Sequence, residues 1–280
     1  MNNVLFKKIN GLLCYLSAFV IIIIVAASIL APYLAPYDPL QPNMYIRLQT
    51  PSPEHILGTD ALGRDLFSRI LYGGRTSILL SLFSVSLSML VGGILGIIAG
   101  FYEKWPDTII TILCNIFQSI PGSCFMIAFA GIMGPSLHNL VFALALVSWA
   151  GFSRIVRAAV LRIKNEPYME LLSCLGASNA RLMFKHILPN IANDVFILFS
   201  IRIGFGLMAV SGLSFLGLGV QPPIPDWGVM LSDAMFYYRS YPYLAIIPGA
   251  LLFLLVFSIN TLGDYQRECF DIKKDEMRDW

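Results

Sequence analysis

Apolar residues run along this chain in long stretches, each bounded by Gly, Pro or charge. A helix crossing a bilayer needs about 20 mostly apolar residues, and six stretches qualify, at roughly 11–30, 77–101, 107–133, 138–160, 195–218 and 244–263. The first contains "VIIIIVAASIL" and leads into the proline-rich "APYLAPYDP". It is longer than the apolar core of a signal peptide and reads as a retained anchor. Pro121 and Gly122 fall inside the third stretch and predict a kink or local break. Gly92, Gly93, Gly96 and Gly100 give the second span about one small residue per turn, a spacing that lets a neighbouring helix approach. The pattern predicts an all-α membrane protein with six transmembrane helices.

Composition agrees: 57% of the 280 residues are hydrophobic, 13% are charged, and mean hydropathy is +0.72. A water-soluble domain of this size needs far more polar surface. No basic stripe with interleaved aromatics points to nucleic acid. The five cysteines form no C-x-x-C pair and the three histidines are scattered, so neither a zinc site nor a disulfide framework is expected. Lys and Arg concentrate in the loops that are internal if the N-terminus is cytoplasmic, among them Lys7, Lys8, Arg154, Arg157, Arg162, Lys164, Lys273, Lys274 and Arg278. By the positive-inside rule both termini are cytoplasmic.

Two polar segments interrupt this pattern. "LGTDALGRDLFSRILYGGRTS" (57–77) comes close to a phosphate-binding loop, but Arg64 and Asp65 stand where Lys and Ser/Thr belong. It also falls on the outer face, away from ATP, and no other segment offers a better nucleotide motif. It predicts a short interfacial helix with Leu66, Phe67, Ile70 and Leu71 on its apolar side. Asp65 and Arg69 form an i, i+4 pair there, and Gly73–Gly74 make a turn into the second span. The second segment, "RIVRAAVLRIKNEPYMELLSCLGASNARLMFKHILPNIAND" (154–194), is the longest and most basic internal loop. Pro167 suits a first helical turn. Tyr168, Leu171, Leu172 and Leu175 can share one face, and Gly176 stops the helix in a left-handed conformation. A second piece, "SNARLMFKHI", ends at Pro189. The loop reads either as a projecting knob or as a surface helix on lipid headgroups. Within the fifth span lies Arg202, in "FILFSIRIGFG". Two roles fit it: a structural one, pairing with Asp194 or snorkelling to headgroups, or a place on a pathway wall facing a peptide carboxylate.

Glu170, Gly176 and "LP" at Leu188–Pro189 have the spacing of the E-A-A-x-x-x-G-x(9)-I-x-L-P loop of bacterial ATP-binding-cassette importer permeases. "HILPN" (186–190), "LAPYDP" (34–39), the 57–77 segment, "SFLGLGVQPPIPDWGVML" (214–231) and "GD" at 263–264 are similar to the dipeptide, oligopeptide and nickel branch, and to its C-type permease. The resemblance covers nearly the whole chain. It implies that Glu170, Leu171, Leu172, Gly176, Ala177, Leu188 and Pro189 dock one or two cytoplasmic ATPase subunits. Those subunits would bind ATP and Mg, leaving this chain without a cofactor, a metal or catalysis of its own. It implies a second, homologous permease and an extracytoplasmic substrate-binding protein in the same cell membrane. Asp60, Arg64, Asp65 and Arg69 are then candidates for a landing surface for the binding protein; the alternative is a solvated helix that only fixes the second span. The implied organisation is 1–76, an N-terminal span with an external segment; 77–265, the permease domain with its coupling loop at 162–190; and 266–280, a cytoplasmic tail.

The chain departs from that pattern in three places. Leu171 and Leu172 replace the two alanines of the loop signature. Asp107 is kept, but Ile112 and Asn115 stand where relatives often have Arg and a second Asp, which reads as an ion pair removed whole. Ala209 and Val210 stand where relatives often carry an acid. Peptides are the expected cargo, with nickel or another metal complex as the alternative. An intramembrane enzyme is the distant rival, but no span combines a nucleophile with a base.

Overall fold

The computed structural model describes the backbone of residues 2–276 and the side chains of residues 11–269. The side chains of Lys7, Lys8, Lys273, Lys274 and Arg278, on which part of the orientation argument rests, lie outside the described residues, as does the end of the 266–280 tail. Helix α1 (Asn2–Ile29) leads into a single turn, α2 (Ala31–Leu34). An irregular segment with one 3₁₀ turn (Met44–Ile46) follows.

Helix α3 (Leu66–Tyr102) runs unbroken for 37 residues. The turn expected at Gly73–Gly74 is therefore absent, and both glycines are helical. They are small because Trp227 lies against them: an added Cβ would sit 3.2 Å from its Cδ1 at Gly73 and 2.7 Å from its Cζ2 at Gly74. Trp227 itself is 1% exposed, and its Nε1 donates to the Ile70 carbonyl at 3.1 Å.

Helices α4 (Lys104–Ser119) and α5 (Gly122–Met133) meet at 84°, the break expected at Pro121–Gly122. Helix α6 (Leu137–Lys164) packs along α3. Gly92, Gly96 and Gly100 face its Trp149 carbonyl, Val156 and Val160, and backbone meets backbone where a Cβ would not fit. Gly93 faces open space, so it lies off this seam.

Helix α7 (Pro167–Cys174) and the short α8 (Asn179–Arg181) follow. A π-helical stretch (Leu182–Ile187) then joins α8 to α9 (Leu188–Phe215). The helix expected to stop at Pro189 does not: 179–215 is one apolar helix of 37 residues. Proline is tolerated there because it sits in the first turn of α9, just after the π stretch has already shifted the hydrogen-bond register. Helix α10 (Trp227–Ala234) is short, and α11 (Tyr243–Glu276) returns beside α1 and α9.

Among the described residues five helical stretches are long and apolar enough to cross a membrane, and the α4–α5 pair, taken together as one bent span, brings the number to six. This is an all-α, multi-pass membrane protein. Ile24, Leu66, Leu207, Trp227 and Leu255 share one core, so α1 is packed into the bundle. The domain boundary placed at 76 falls inside α3.

Candidate functional site

Three places combine polar or unpartnered groups, and they lie at different heights. The two ends are far apart: 37 residues of α3 separate Leu66, next to the 57–77 segment, from Tyr102, which lines the cleft beside α7.

At the Gly58 end the charges turn inward. Asp60, Arg64, Asp65 and Arg69 are all buried. The expected Asp65–Arg69 pair does not form. Asp65 is the N-cap of α3, accepting from the Ser68 backbone N–H and hydroxyl, both at 2.7 Å, and it meets His55 Nδ1 at 2.9 Å. Arg69 instead pairs with Asp60, which also takes Arg64 Nε at 2.7 Å and the backbone N–H groups of Leu62 and Arg64. Burial pushes the Asp60 carboxyl up, but Arg69, Arg64 and the two N–H donors outweigh it and hold the group below the usual range. Asp233 lies 3.6 and 3.7 Å from the two guanidiniums with its side chain 42% exposed, and burial raises its carboxyl. A cavity of about 300 Å³ opens beside this cluster. These four residues therefore hold the loop to α3 and α10 rather than form an exposed charged surface. Sequence reading passed over Asp226, which is buried, caps α10 and accepts from Ser77 Oγ at 2.6 Å. Its only sequence signal was an Asp just before a helix start.

At the Gly176 end the opposite holds. Helix α7 closes in a full Schellman turn: Ala177 N–H donates to Leu172 O and Gly176 N–H to Ser173 O, both at 3.0 Å, with Gly176 at φ +83°. Met169 is buried with Leu182, Ile187 and Ile191 against Phe101, Val156 and Val160. Leu172 and Ala177, half-buried, pack on the same cluster. The apolar face expected for α7 is thus split, since Leu171 and Leu175 point outward, 61% and 75% exposed, with Phe184 at 68% nearby in the chain. Glu170 and Pro189 are exposed, Leu188 is half-buried, and Glu170 lines a cleft with Lys164, Ser173 and Asn179. Burial raises the Tyr168 hydroxyl, helped by the Glu166 charge.

Asp107 and Asn115, on either side of the uncharged Ile112, both find partners across the bundle. Asp107 binds Arg157, and Asn115 accepts from Arg154, both on α6. The partner of each is thus on another helix and not on α4 itself.

Between the two ends lies Arg202, half-buried near the middle of α9. Its expected partner Asp194 is bound to Arg162. Among the described residues no carboxylate forms a salt bridge with Arg202. Its guanidinium sits 5.8 Å over the Phe152 ring, in the space that Gly151 leaves free. A charge within a span costs roughly 2.5–3.5 kcal/mol on insertion scales, and a cation–π contact returns about 0.5–2 kcal/mol of that.

Comparison with known proteins places this architecture. Residues 13–51 match the N-terminal transmembrane domain of oligopeptide transport permease C. The glutathione transport system permease protein GsiD of Pectobacterium atrosepticum is 42% identical over 254 residues, covering 90% of this chain and 84% of that protein. The dipeptide transport system permease protein DppC of Alkalihalophilus pseudofirmus is 36% identical over 269 residues, 96% and 88% of the two chains. GsiD of Escherichia coli O157:H7 is 36% identical over 258 residues, 92% and 85%. Residues 92–268 match the binding-protein-dependent transport system inner membrane component, and this chain belongs to that family of membrane permeases, which carry no ATPase of their own.

Proposed function

We propose that the chain is one permease subunit of an ATP-driven importer of small peptides. It supplies half of a path across the membrane, a second permease supplies the other half, and cytoplasmic ATPase subunits bind ATP and Mg and drive the cycle. The Gly58 end faces outward toward a substrate-binding protein, and both termini face the cytoplasm. Relatives named for glutathione and dipeptides support peptide cargo and give nickel no support.

The observation that carries the docking assignment is the split of α7. Met169 and Leu172 anchor it to the bundle, while Leu171 and Leu175, one turn apart on α7, are exposed next to Glu170. An apolar surface of this kind next to charge fits a groove on a partner protein. ATP binding in that partner would then shift a two-state arrangement of the helices.

Cys174 gives a direct test, because it is exposed on α7 itself. A variant keeping only Cys174 should react with a thiol reagent in inside-out vesicles stripped of ATPase, and the ATPase should protect it. Labelling unaffected by the ATPase would break the docking assignment. A cysteine introduced at Ser52 should label from the outside of intact cells; labelling only after the inner face is opened would reverse the orientation.

A further inference from the structure

Arg202 lies in the middle of a span, and among the described residues no carboxylate forms a salt bridge with it. Its placement explains what it could serve. From Arg202 the positions Phe205, Ala209 and Gly212 follow at steps of three and four on one face of α9, and Leu216, its C-cap, continues that line. The last four line an open cleft of about 460 Å³, and Ser123 and Met126 of α5 form its other wall, just past the 84° break. Broken helix at membrane depth is tolerated where it borders protein or a wet cavity. Arg202 stands one turn beyond this cleft, on its face. Gly151 on α6 makes room for the guanidinium: an added Cβ would lie 3.1 Å from Nη2. Ring contact with Phe152 holds the group without neutralising it.

We propose that Arg202 reads the net charge of the cargo. It acts as a fixed cation on the wall of the path and favours small peptides with one carboxylate more than their ammonium groups balance. The planar guanidinium offers paired N–H donors to a carboxylate, and the low-polarity wall strengthens that contact. The proposal rests on the importer reading above and specifies the cargo within it.

The test uses the whole complex, with partner permease, ATPases and binding protein, in proteoliposomes. The probes are Ala-Glu and Ala-Gln, which differ by one charge at nearly constant shape. Each variant is compared with its parent under the same binding protein, so the preference of that protein cancels. Arg202→Gln should lower the Ala-Glu to Ala-Gln ratio of kcat/KM by about tenfold, the loss of one charge-assisted contact. Arg202→Lys should keep most of the ratio. An equal fall for both peptides, or an unchanged ratio, overturns the inference while leaving the importer reading intact. If Arg202→Gln does not assemble, Gly151→Ala reads the same quantity by crowding the guanidinium. It should lower the ratio about threefold, and an unchanged ratio overturns the inference. Uptake of neither peptide by the unaltered complex overturns the peptide-importer reading and this inference with it.

Discussion

Gly63 and Gly176 share a left-handed backbone, φ +71° and +83°, at opposite ends of the molecule. Around Gly63 the chain is closed, and an added Cβ would overlap the Asn43 carbonyl. At Gly176 an added Cβ would meet nothing within 4 Å. The same conformation therefore serves two purposes. At the Gly58 end it folds a loop onto itself, and the charges of that loop are consumed by one another. At the Gly176 end it turns a helix and leaves the turn bare. The charges of the first end are satisfied within this chain, whereas the second leaves Leu171 and Leu175 uncovered.

The contrast is broken most severely by removing Asp60. Asp60→Ala leaves two buried guanidiniums, with only the half-exposed Asp233 nearby. A broken buried pair costs about 3–5 kcal/mol, and thermal unfolding of the purified protein should show a loss of that size or no assembled protein at all. The same carboxylate sets a pH dependence. Its folded pKa lies below its unfolded value, so its contribution is complete above the ordinary aspartate value of about 3.9. Below that it is lost as pH falls through the folded pKa. Acid unfolding followed by near-UV circular dichroism should begin in that window.

Gly63→Ala comes next. Left-handed strain of about 1–2 kcal/mol adds to a backbone overlap that the Asn43 loop must move to relieve, and melting temperature should fall clearly. Gly176→Val should cost only the strain, about 1–2 kcal/mol, because no neighbour is in the way. The protein should reach the membrane and assemble, yet uncouple ATP hydrolysis from uptake in proteoliposomes. Comparable melting temperatures for these two variants would erase the contrast between the ends. The smallest effect on the fold is expected from Leu171→Ala. Stability should change by less than about 0.5 kcal/mol, while ATPase affinity in a pull-down titration should weaken by about 1 kcal/mol.

The spans were legible because length and apolar content are properties of a single segment, and the break at Pro121–Gly122 because proline acts locally. The seam of Gly92, Gly96 and Gly100 against α6 could be anticipated for the same reason. Partner choice was not legible. Arg69 takes Asp60, nine residues back, over Asp65, four back, because Asp65 is already committed to capping α3 and to His55. Gly73–Gly74 reads as a turn until Trp227, more than 150 residues away, is seen lying on it. At the Gly176 end, spacing identified α7 and its glycine stop, but not which leucine faces out. Position 172 turns to the Val156–Ile187 core and 171 does not, which depends on how α7 lies on α6 and the π stretch.

The unbroken helix through Pro189 has a mechanical consequence. At 1.5 Å per residue its 37 residues form a rod of about 55 Å. Such a rod turns a push at Asn179 into a swing of the opposite sense at Phe215. A tilt of about 10° about the midpoint displaces each end by roughly 5 Å. Arg202, about five residues from that midpoint, moves only about 1 Å. The π stretch at Leu182–Ile187 is the irregular joint where such a push would enter. For a tilt about that midpoint, the two ends would move in opposite senses while Arg202 stayed almost still.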